Sequence, residues 1–173
     1  PVGHVGGDLL SETPNQLPLQ FVLDRLKPLL EDPSVLKIGH NLKYDWVMFD
    51  KAGIDVAPYD DTMLMSFDLD GGRSFGHNLG DLAKSQFEHE CISFKSLCGS
   101  GAKQITFDKV PLREATEYAG EDADIALRLW QRLKPRMTSE HAERVYKRVD
   151  QPLIPVIGRM ERRGVKVDRD YLA

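Results

Sequence analysis

Residues 35–45 read VLKIGHNLKYD, and they join a short apolar run to the start of a helical pattern. The apolar run at residues 35–39 is typical of a buried strand. After it, Leu42, Trp46 and Phe49 recur on one face of a predicted helix, which Gly53 is suited to end. Asp45 falls in the first turn of this helix. The stretch therefore predicts a strand-to-helix junction that carries a carboxylate.

The sequence patterns in the rest of the chain predict mostly helices. A second short strand is predicted at residues 54–59, and the balance of one or two strands against many helices has two interpretations. Either the protein is mainly helical, or it contains a sheet from which strands are missing. The helices are predicted from Pro18 to residue 30, with Pro28 shortening or kinking the last turn; after an N-cap at Asp61; at residues 79–87; from Pro111 to Pro135; around Val145 and Val149; and from Pro152 to Gly164.

Composition limits the classes of function. The 173 residues are 41% hydrophobic and 29% charged, with a net charge of −4. The charge is uneven, with a balance of −6 over residues 1–137 and +2 over residues 138–173. An acidic domain argues against broad nonspecific DNA binding. If such a domain binds phosphates, metal ions must lie between its carboxylates and the negatively charged phosphates.

Targeting and cysteine patterns point to a cytosolic protein. No run of about 18 apolar residues predicts a membrane span, and the residues after Pro1 do not resemble a signal peptide. The absence of an initiator Met suggests a piece excised from a longer protein. Cys91 and Cys98 predict neither a disulfide framework nor a zinc site, which favours a reducing compartment. The five histidines are His4, His40, His77, His89 and His141, and their spacing contains no pattern of metal ligands.

Two segments carry candidate catalytic residues. The first is residues 41–45, NLKYD, and the second is residues 118–124, YAGEDAD. Tyr118 and Asp122 are four residues apart and share one face of the long helix. Each segment also has a purely structural interpretation. The helix dipole stabilises a carboxylate in the first turn, such as Asp45. Glu121, Asp122 and Asp124 can simply form a solvated helix face. The residues alone leave these alternatives open.

Both segments resemble exonuclease motifs. Residues 41–45 are similar to the second, and residues 118–124 to the third, motif of the proofreading 3′–5′ exonuclease domain of bacterial family A DNA polymerases. Residues 61–64, 82–83 and 104–107 follow in the order of that family. Residues 152–156 and 160–168 resemble the entry into the polymerase domain. The resemblance implies exonuclease sequence at 1–137 and the start of the polymerase domain at 138–173.

The resemblance implies an α/β, RNase H-like exonuclease fold, with a mixed sheet flanked by helices, here truncated and rich in helix. It implies two divalent metals, Mg²⁺ or Mn²⁺, with Asp45 and Asp122 among their ligands. Tyr118 would orient the attacking water. DNA contacts near the 3′ end are implied for three residues, Asn41, Tyr44 and Arg73.

One departure from the family pattern limits the expected activity. The first motif of the family is Asp-Thr-Glu, and no Asp-x-Glu occurs in this sequence. We therefore expect the motif upstream in a parent polymerase of the bacterial cytoplasm and nucleoid, and an inactive isolated chain. The alternative is a catalytically silent spacer that supports the polymerase; a non-enzymatic helical module would require the motif matches to be accidental. The expected partners are a single-stranded DNA 3′ end, the rest of the polymerase chain and, for the isolated chain, further copies of itself.

Overall fold

A computed structural model describes residues 2–5, 15–71, 73, 76–168 and 171. The described ranges are mainly helical, and none of their helices combines the length and apolar character that crossing a bilayer requires. The elements are α1 (Leu19–Leu30), β1 (Lys37–Gly39), α2 (Leu42–Lys51), β2 (Tyr59–Asp61), α3 (Thr62–Asp70), α4 (Leu79–Phe87), α5 (Phe94–Cys98), α6 (Leu112–Ser139), α7 (Glu143–Val145), a π-helical turn (Tyr146–Asp150) and α8 (Gln151–Arg163), with 3₁₀ turns at Gly101–Lys103 and Phe107–Lys109.

The two strands form a small parallel sheet in which Ile38 is opposite Asp60. The predicted first strand is confirmed, although it is shorter than the apolar run. The predicted second short strand is also present, but its bounds were wrong, because β2 spans Tyr59–Asp61 and overlaps the predicted range 54–59 only at Tyr59. Ile54 and Val56 are apolar because they lie buried in a cluster with Trp46, and not because they pair in the sheet.

The helices α1 and α6 each continue past an internal proline. Residue 135 was predicted to terminate α6, but the helix continues through Pro135 to Ser139. A proline removes one backbone hydrogen bond, and here the buried side chains of Leu133 and Met137 hold the helix on both sides of it. The helix α1 also contains a proline, Pro28, and it ends at Leu30, where the sequence predicted its end.

Asp61, the last residue of β2, holds the start of two helices. The Asp61 Oδ1 atom accepts hydrogen bonds from the backbone N–H groups of Met63 at 2.8 Å and Leu64 at 3.4 Å, which confirms the predicted N-cap of α3. The same carboxylate accepts the N–H of Asn41 at 3.1 Å and that of Leu42 at 2.8 Å, at the start of α2. N–H groups in a first helical turn have no partner within the helix, so one buried side chain satisfies donors of both helices.

Asp60 connects the same strand to the C-terminal half of the chain. Trp130 Nε1 and Lys134 Nζ, both on α6, donate to Asp60 Oδ2 at 2.8 and 3.0 Å. Tyr146 and Gln151 donate to the other oxygen at 3.2 and 3.1 Å. Because Asp60 is only 2% exposed, its charge depends on these donors for stabilisation.

The main core lies between α6 and two shorter helices. Met65 of α3 and Leu82 of α4 pack with Ile125, Leu129 and Leu133 of α6. This buried face of α6 lies against α3 and α4, and helix geometry then fixes the direction in which Tyr118 and Asp122 point on the preceding turns.

The C-terminal helix α8 packs against α2. A side chain at Gly158 would bring its Cβ to 2.8 Å from the Trp46 ring, so glycine permits the close approach of the two helices. Ion pairs between Lys43 and Glu161, and between Asp50 and Arg162, add to this contact. The domain boundary after residue 137 stays a prediction.

Two carboxyl groups meet where α3 contacts the π-helical turn. Asp68 interacts with Asp150, and one Asp68 oxygen is buried without a hydrogen-bond partner among the described residues. Burial, together with the Asp150 charge and hydrogen bonding to Asp150, raises the pKa of Asp68 to about 7. A proton on Asp68 removes the repulsion and supplies the missing donor.

The first prediction concerns Asp61→Ala. The substitution leaves several helix-start N–H groups buried without an acceptor, and we expect the free energy of unfolding to fall by about 3 kcal/mol. Urea denaturation monitored by circular dichroism measures the loss. Asp55→Ala, which removes an exposed carboxylate from the neighbouring loop, is the control and should change stability little. An equal, small effect of both substitutions would contradict the capping role.

The second prediction concerns the pH dependence of stability. Because the pKa of Asp68 is raised above its unfolded value of 3.8 to about 7, its contribution is present at low pH and is lost as pH rises through 7. Asp68→Asn keeps a donor towards Asp150 at every pH. We expect its Tm to exceed that of the unsubstituted chain by about 2–4 °C at pH 8, and the difference to shrink towards pH 4.

Thermal melts at pH 4, 6 and 8 test this expectation. Asp24→Asn, on the exposed surface of α1, controls for the general effect of removing one negative charge. A Tm difference between Asp68→Asn and the unsubstituted chain that stays constant with pH would overturn the interpretation.

Candidate active site

A cavity of about 470 Å³ lies between the carboxyl end of β1, the start of α2 and the N-terminal half of α6. It contains four of the six residues singled out from the sequence. The lining residues are Ile38, Gly39, His40, Asn41, Asp45, Leu79, Tyr118, Asp122, Ala123 and Ala126.

The backbone at the end of β1 directs Asp45 into this cavity. Asn41 adopts a left-handed conformation with φ 57° and ψ 46°, which asparagine tolerates better than most residues. At Gly39, an added Cβ would come within 2.4 Å of Leu42 Cδ1, so a larger residue here would displace the end of the buried Leu42 side chain. The turn places Asp45 in the first turn of α2, as predicted.

The Asp45 carboxyl group is destabilised in its charged form. Its side chain retains contact with solvent, but the surrounding protein removes part of its hydration and raises its pKa. The charge of the nearby Asp61 raises the pKa further, against the effect of a backbone hydrogen bond. A cation bound at Asp45 would relieve both effects.

Tyr118 and Asp122 face the cavity from one turn of α6. Loss of hydration raises the pKa of Asp122, hydrogen bonding from Tyr118 lowers it, and the charge of Glu121 raises it again. The pKa of Tyr118 is raised by loss of hydration and by the Asp122 charge and hydrogen bond. The hydroxyl therefore stays protonated at neutral pH and acts as a donor towards the carboxylate.

Two phenylalanines hold the Tyr118 ring. The Phe107 ring centroid lies 5.6 Å from that of Tyr118, and the Phe94 centroid lies 6.5 Å from it with its plane tilted by 66°. The Phe94 and Phe107 rings stack on each other at 6.1 Å. These distances are typical of favourable aromatic pairs. Sequence patterns did not reveal this support, because Phe94 begins α5 and Phe107 begins a 3₁₀ turn, both outside the helix that carries Tyr118.

His40 is a cavity residue to which the sequence assigned no function. Its Nδ1 atom lies 2.9 Å from Thr62 Oγ1, and its Nε2 atom is buried with no hydrogen-bond partner among the described residues. Burial lowers the pKa of His40 to about 4, so the imidazole is neutral at pH 7. Position after an apolar strand was the only available signal, and it does not distinguish this histidine from a connecting residue.

Two predicted DNA-contacting residues lie outside the cavity lining. Tyr44 is next to Asp45 in α2, but its side chain is 68% exposed. Arg73 is exposed in the segment that follows α3. Their roles stay predictions, and their exposure leaves both side chains accessible to a ligand.

The donors around the cavity suit a hard divalent cation. Asp45 and Asp122 supply carboxylate oxygens from two different helices. Loss of hydration raises the pKa of each, so the charged form of each is destabilised in the absence of a cation. Mg²⁺ and Mn²⁺ prefer carboxylate and water ligands. The residues present therefore fit the metal chemistry that the sequence resemblance implied.

Known proteins are similar to this chain over most of its length. The profile of the 3′–5′ exonuclease family matches residues 9–138. DNA polymerase I of Rhizobium leguminosarum is 47% identical over 169 residues, covering 96% of this chain and 16% of that protein. DNA polymerase I of Pseudomonas aeruginosa is 42% identical over 164 residues, covering 92% of this chain and 18% of that protein. The chain thus spans about a sixth of the length of these curated relatives.

Solved structures resemble the fold at lower identity. A structure described as the apo form of a nuclease aligns with a TM-score of 0.61 at 20% identity, over 94% of this chain and 71% of that one. NrnC of Brucella melitensis bound to pGG aligns with a TM-score of 0.55 at 20% identity, over 90% of this chain and 70% of that one. Together with the profile match, these likenesses confirm the predicted fold class, a helix-rich variant of the RNase H-like exonuclease fold.

The third prediction concerns the coupling of Tyr118 to Asp122. Because the Asp122 charge helps to raise the pKa of Tyr118, Asp122→Asn should lower that pKa towards the ordinary tyrosine value. The shift is partial, since loss of hydration is the larger cause and remains. NMR titration of a chain with ¹³C-labelled tyrosines measures it. Asp124→Asn, an exposed position on the same helix, is the matched control, and equal titration of Tyr118 in both variants would contradict the coupling.

Proposed function

The chain belongs to the 3′–5′ exonuclease family found in bacterial DNA polymerase I, and from this premise we propose that it forms part of a proofreading site. In this proposal the parent polymerase removes nucleotides from single-stranded or frayed 3′ ends of DNA by two-metal hydrolysis, during replication and repair in the bacterial cytoplasm. The observation that carries the proposal is the meeting of Asp45, Tyr118 and Asp122 at one cavity.

Asp45 and Asp122 are the proposed metal ligands contributed by this chain. Bound Mg²⁺ or Mn²⁺ would lower the pKa of a coordinated water and stabilise charge on the phosphate and the leaving 3′ oxygen. The metal also reconciles an acidic protein with a phosphate substrate. The balance of −6 over residues 1–137 would otherwise repel DNA.

Tyr118 is proposed to orient the attacking water. Its hydroxyl lies beside Asp122, and its raised pKa keeps it a hydrogen-bond donor and acceptor at neutral pH. Phe94 and Phe107 restrict the motion of the ring, so the hydroxyl is held in place before substrate binds.

Asn41, Tyr44 and Arg73 are the proposed DNA contacts. Asn41 lines the cavity, where its amide can meet the terminal nucleotide. The exposed Tyr44 ring is suited to stacking on an unpaired base. The Arg73 guanidinium, also exposed, is suited to a backbone phosphate.

We propose that the rest of the polymerase chain completes the site and covers part of this surface. The cavity lining contains two carboxylates, whereas the family motif that contributes further carboxylates, Asp-Thr-Glu, has no Asp-x-Glu counterpart in the 173 residues. Large apolar side chains are exposed on α1 and α8, and these surfaces are suited to contacts with the remaining chain or, in isolation, with further copies. They include Leu19, Phe21, Leu29, Val156, Ile157 and Met160.

The fourth prediction compares the isolated chain with the full-length polymerase. With a 5′-labelled single-stranded oligonucleotide and Mg²⁺, we expect the full-length protein to shorten the DNA from its 3′ end and the 173-residue chain to leave it intact. In the full-length protein, Asp45→Asn or Asp122→Asn should slow trimming by about 10²–10³-fold, through loss of charge stabilisation in the transition state. Gel analysis of the labelled products measures both effects.

Controls separate the possible outcomes. Tyr118→Phe should reduce trimming without preventing DNA binding, and Asp124→Asn should leave trimming unchanged. If the full-length protein does not trim DNA at all, the domain is a silent spacer that supports the polymerase. Trimming by the isolated chain would show that the two carboxylates suffice.

A further inference from the structure

A cluster of metal-binding side chains lies beside the proposed catalytic cavity. Among the described residues, His89, Cys91 and Glu121 bring one nitrogen, one sulfur and one oxygen within 4.8 Å of one another. His89 and Cys91 follow the end of α4, and Glu121 is on α6 immediately before Asp122. The cluster thus connects an irregular segment to the helix that carries the candidate catalytic residues.

Existing hydrogen bonds orient the carboxylate of this cluster. The backbone N–H of Ile92 donates to Glu121 Oε2 at 2.7 Å, and the Glu121 Oε1 atom lies 2.8 Å from His89 Nε2. Since Ile92 holds one oxygen, the other is directed towards His89. An outer hydrogen bond of this kind fixes ligand orientation in metal sites and strengthens binding.

The cluster is shielded but accessible. The side chains of His89 and Glu121 are 39% and 17% exposed, and Cys91 is half-buried against the main core. An ion can therefore enter from solvent, while the protein excludes part of the competing water. Cys98, the other cysteine of the chain, is buried in a separate cluster with Val110 and Ala115.

We propose that His89, Cys91 and Glu121 form a three-ligand Zn²⁺ site with water in the fourth position. Imidazole, thiolate and carboxylate are all ligands of tetrahedral zinc, and a thiolate selects zinc over Mg²⁺. On binding, the Cys91 thiol releases its proton to solvent, and His89 binds through Nε2 in its neutral form. One thiolate and one carboxylate then balance the two charges of the ion.

The geometry requires a small adjustment. Ligand atoms of a tetrahedral zinc ion lie roughly 3.3–3.6 Å apart, so Cys91 must move inward by about 1 Å and the contact between His89 and Glu121 must open slightly. We expect both changes to come from side-chain rotation. The spacing of histidines and cysteines along the sequence could not reveal this cluster, because its third ligand comes from a helix 30 residues away.

Co²⁺ is a spectroscopic probe for the proposed site, because thiolate ligation gives a charge-transfer absorption in the near ultraviolet. Titration of the chain with Co²⁺, followed by displacement with Zn²⁺, should show saturable binding of one ion with this absorption. Cys91→Ser should abolish the absorption and weaken binding by at least about 10-fold. Cys98→Ala, which retains Cys91, is the matched control and should behave like the unsubstituted chain.

Two further measurements keep the result decisive. Asp45→Asn, which removes a ligand from the proposed exonuclease site, should retain both the thiolate absorption and the affinity of the ion that gives it; loss of either would show that this ion depends on a ligand outside the cluster and overturn the proposal. In the unsubstituted chain, Zn²⁺ should protect Cys91 from alkylation, measured by mass spectrometry, whether or not Cys91→Ser folds. Absence of a saturable thiolate-ligated ion, or alkylation of Cys91 at the same rate with Zn²⁺, would also overturn the proposal.

Discussion

Two consecutive buried carboxylates at the end of β2 connect most of this molecule. Asp61 accepts N–H groups at the starts of α2 and α3, and Asp60 accepts side-chain donors from α6, the π-helical turn and α8. Tyr146 joins the two, since its hydroxyl donates to Asp60 and accepts the N–H of Asp61 at 2.8 Å. A buried charge is tolerated only where such donors surround it, so the position of each connected element depends on this strand end.

The same constraint shapes the candidate active site. Asp61 fixes the start of α2 and therefore Asp45, while Asp60 anchors α6 through Trp130 and Lys134, two to three turns beyond Asp122. The two helices that carry the candidate metal ligands are thus both held by one dipeptide, Asp60-Asp61, at the end of β2. The charge of Asp61 also raises the pKa of Asp45. The Asp61 side chain therefore both supports the start of α2 and changes the electrostatic environment of Asp45.

Local patterns in the sequence predicted the strand at 35–39, the cap at Asp61 and the start of the long helix α6 after Pro111, because each depends on residues close together along the chain. Predictions failed where tertiary packing outweighed local preference. Pro135 lies inside α6, since buried neighbours hold the helix, and the apolar residues at 54 and 56 pack against Trp46 without forming a strand. In the candidate site, Asn41, Asp45, Tyr118 and Asp122 were identified from motifs, whereas His40 and the aromatic support from Phe94 and Phe107 were not.

The sequence alone determined the family, the helix-rich α/β class and the identity of the candidate carboxylates, because these reside in contiguous motifs whose residue types and order carry the information. Three features become visible only in the folded chain: the motifs share one cavity, Asp60 and Asp61 anchor five elements, and His89 and Cys91 lie next to Glu121. These contacts join residues far apart along the chain. They form because the fold must bury apolar surface and at the same time supply hydrogen-bond donors to its buried charges, and no local pattern specifies how both are achieved.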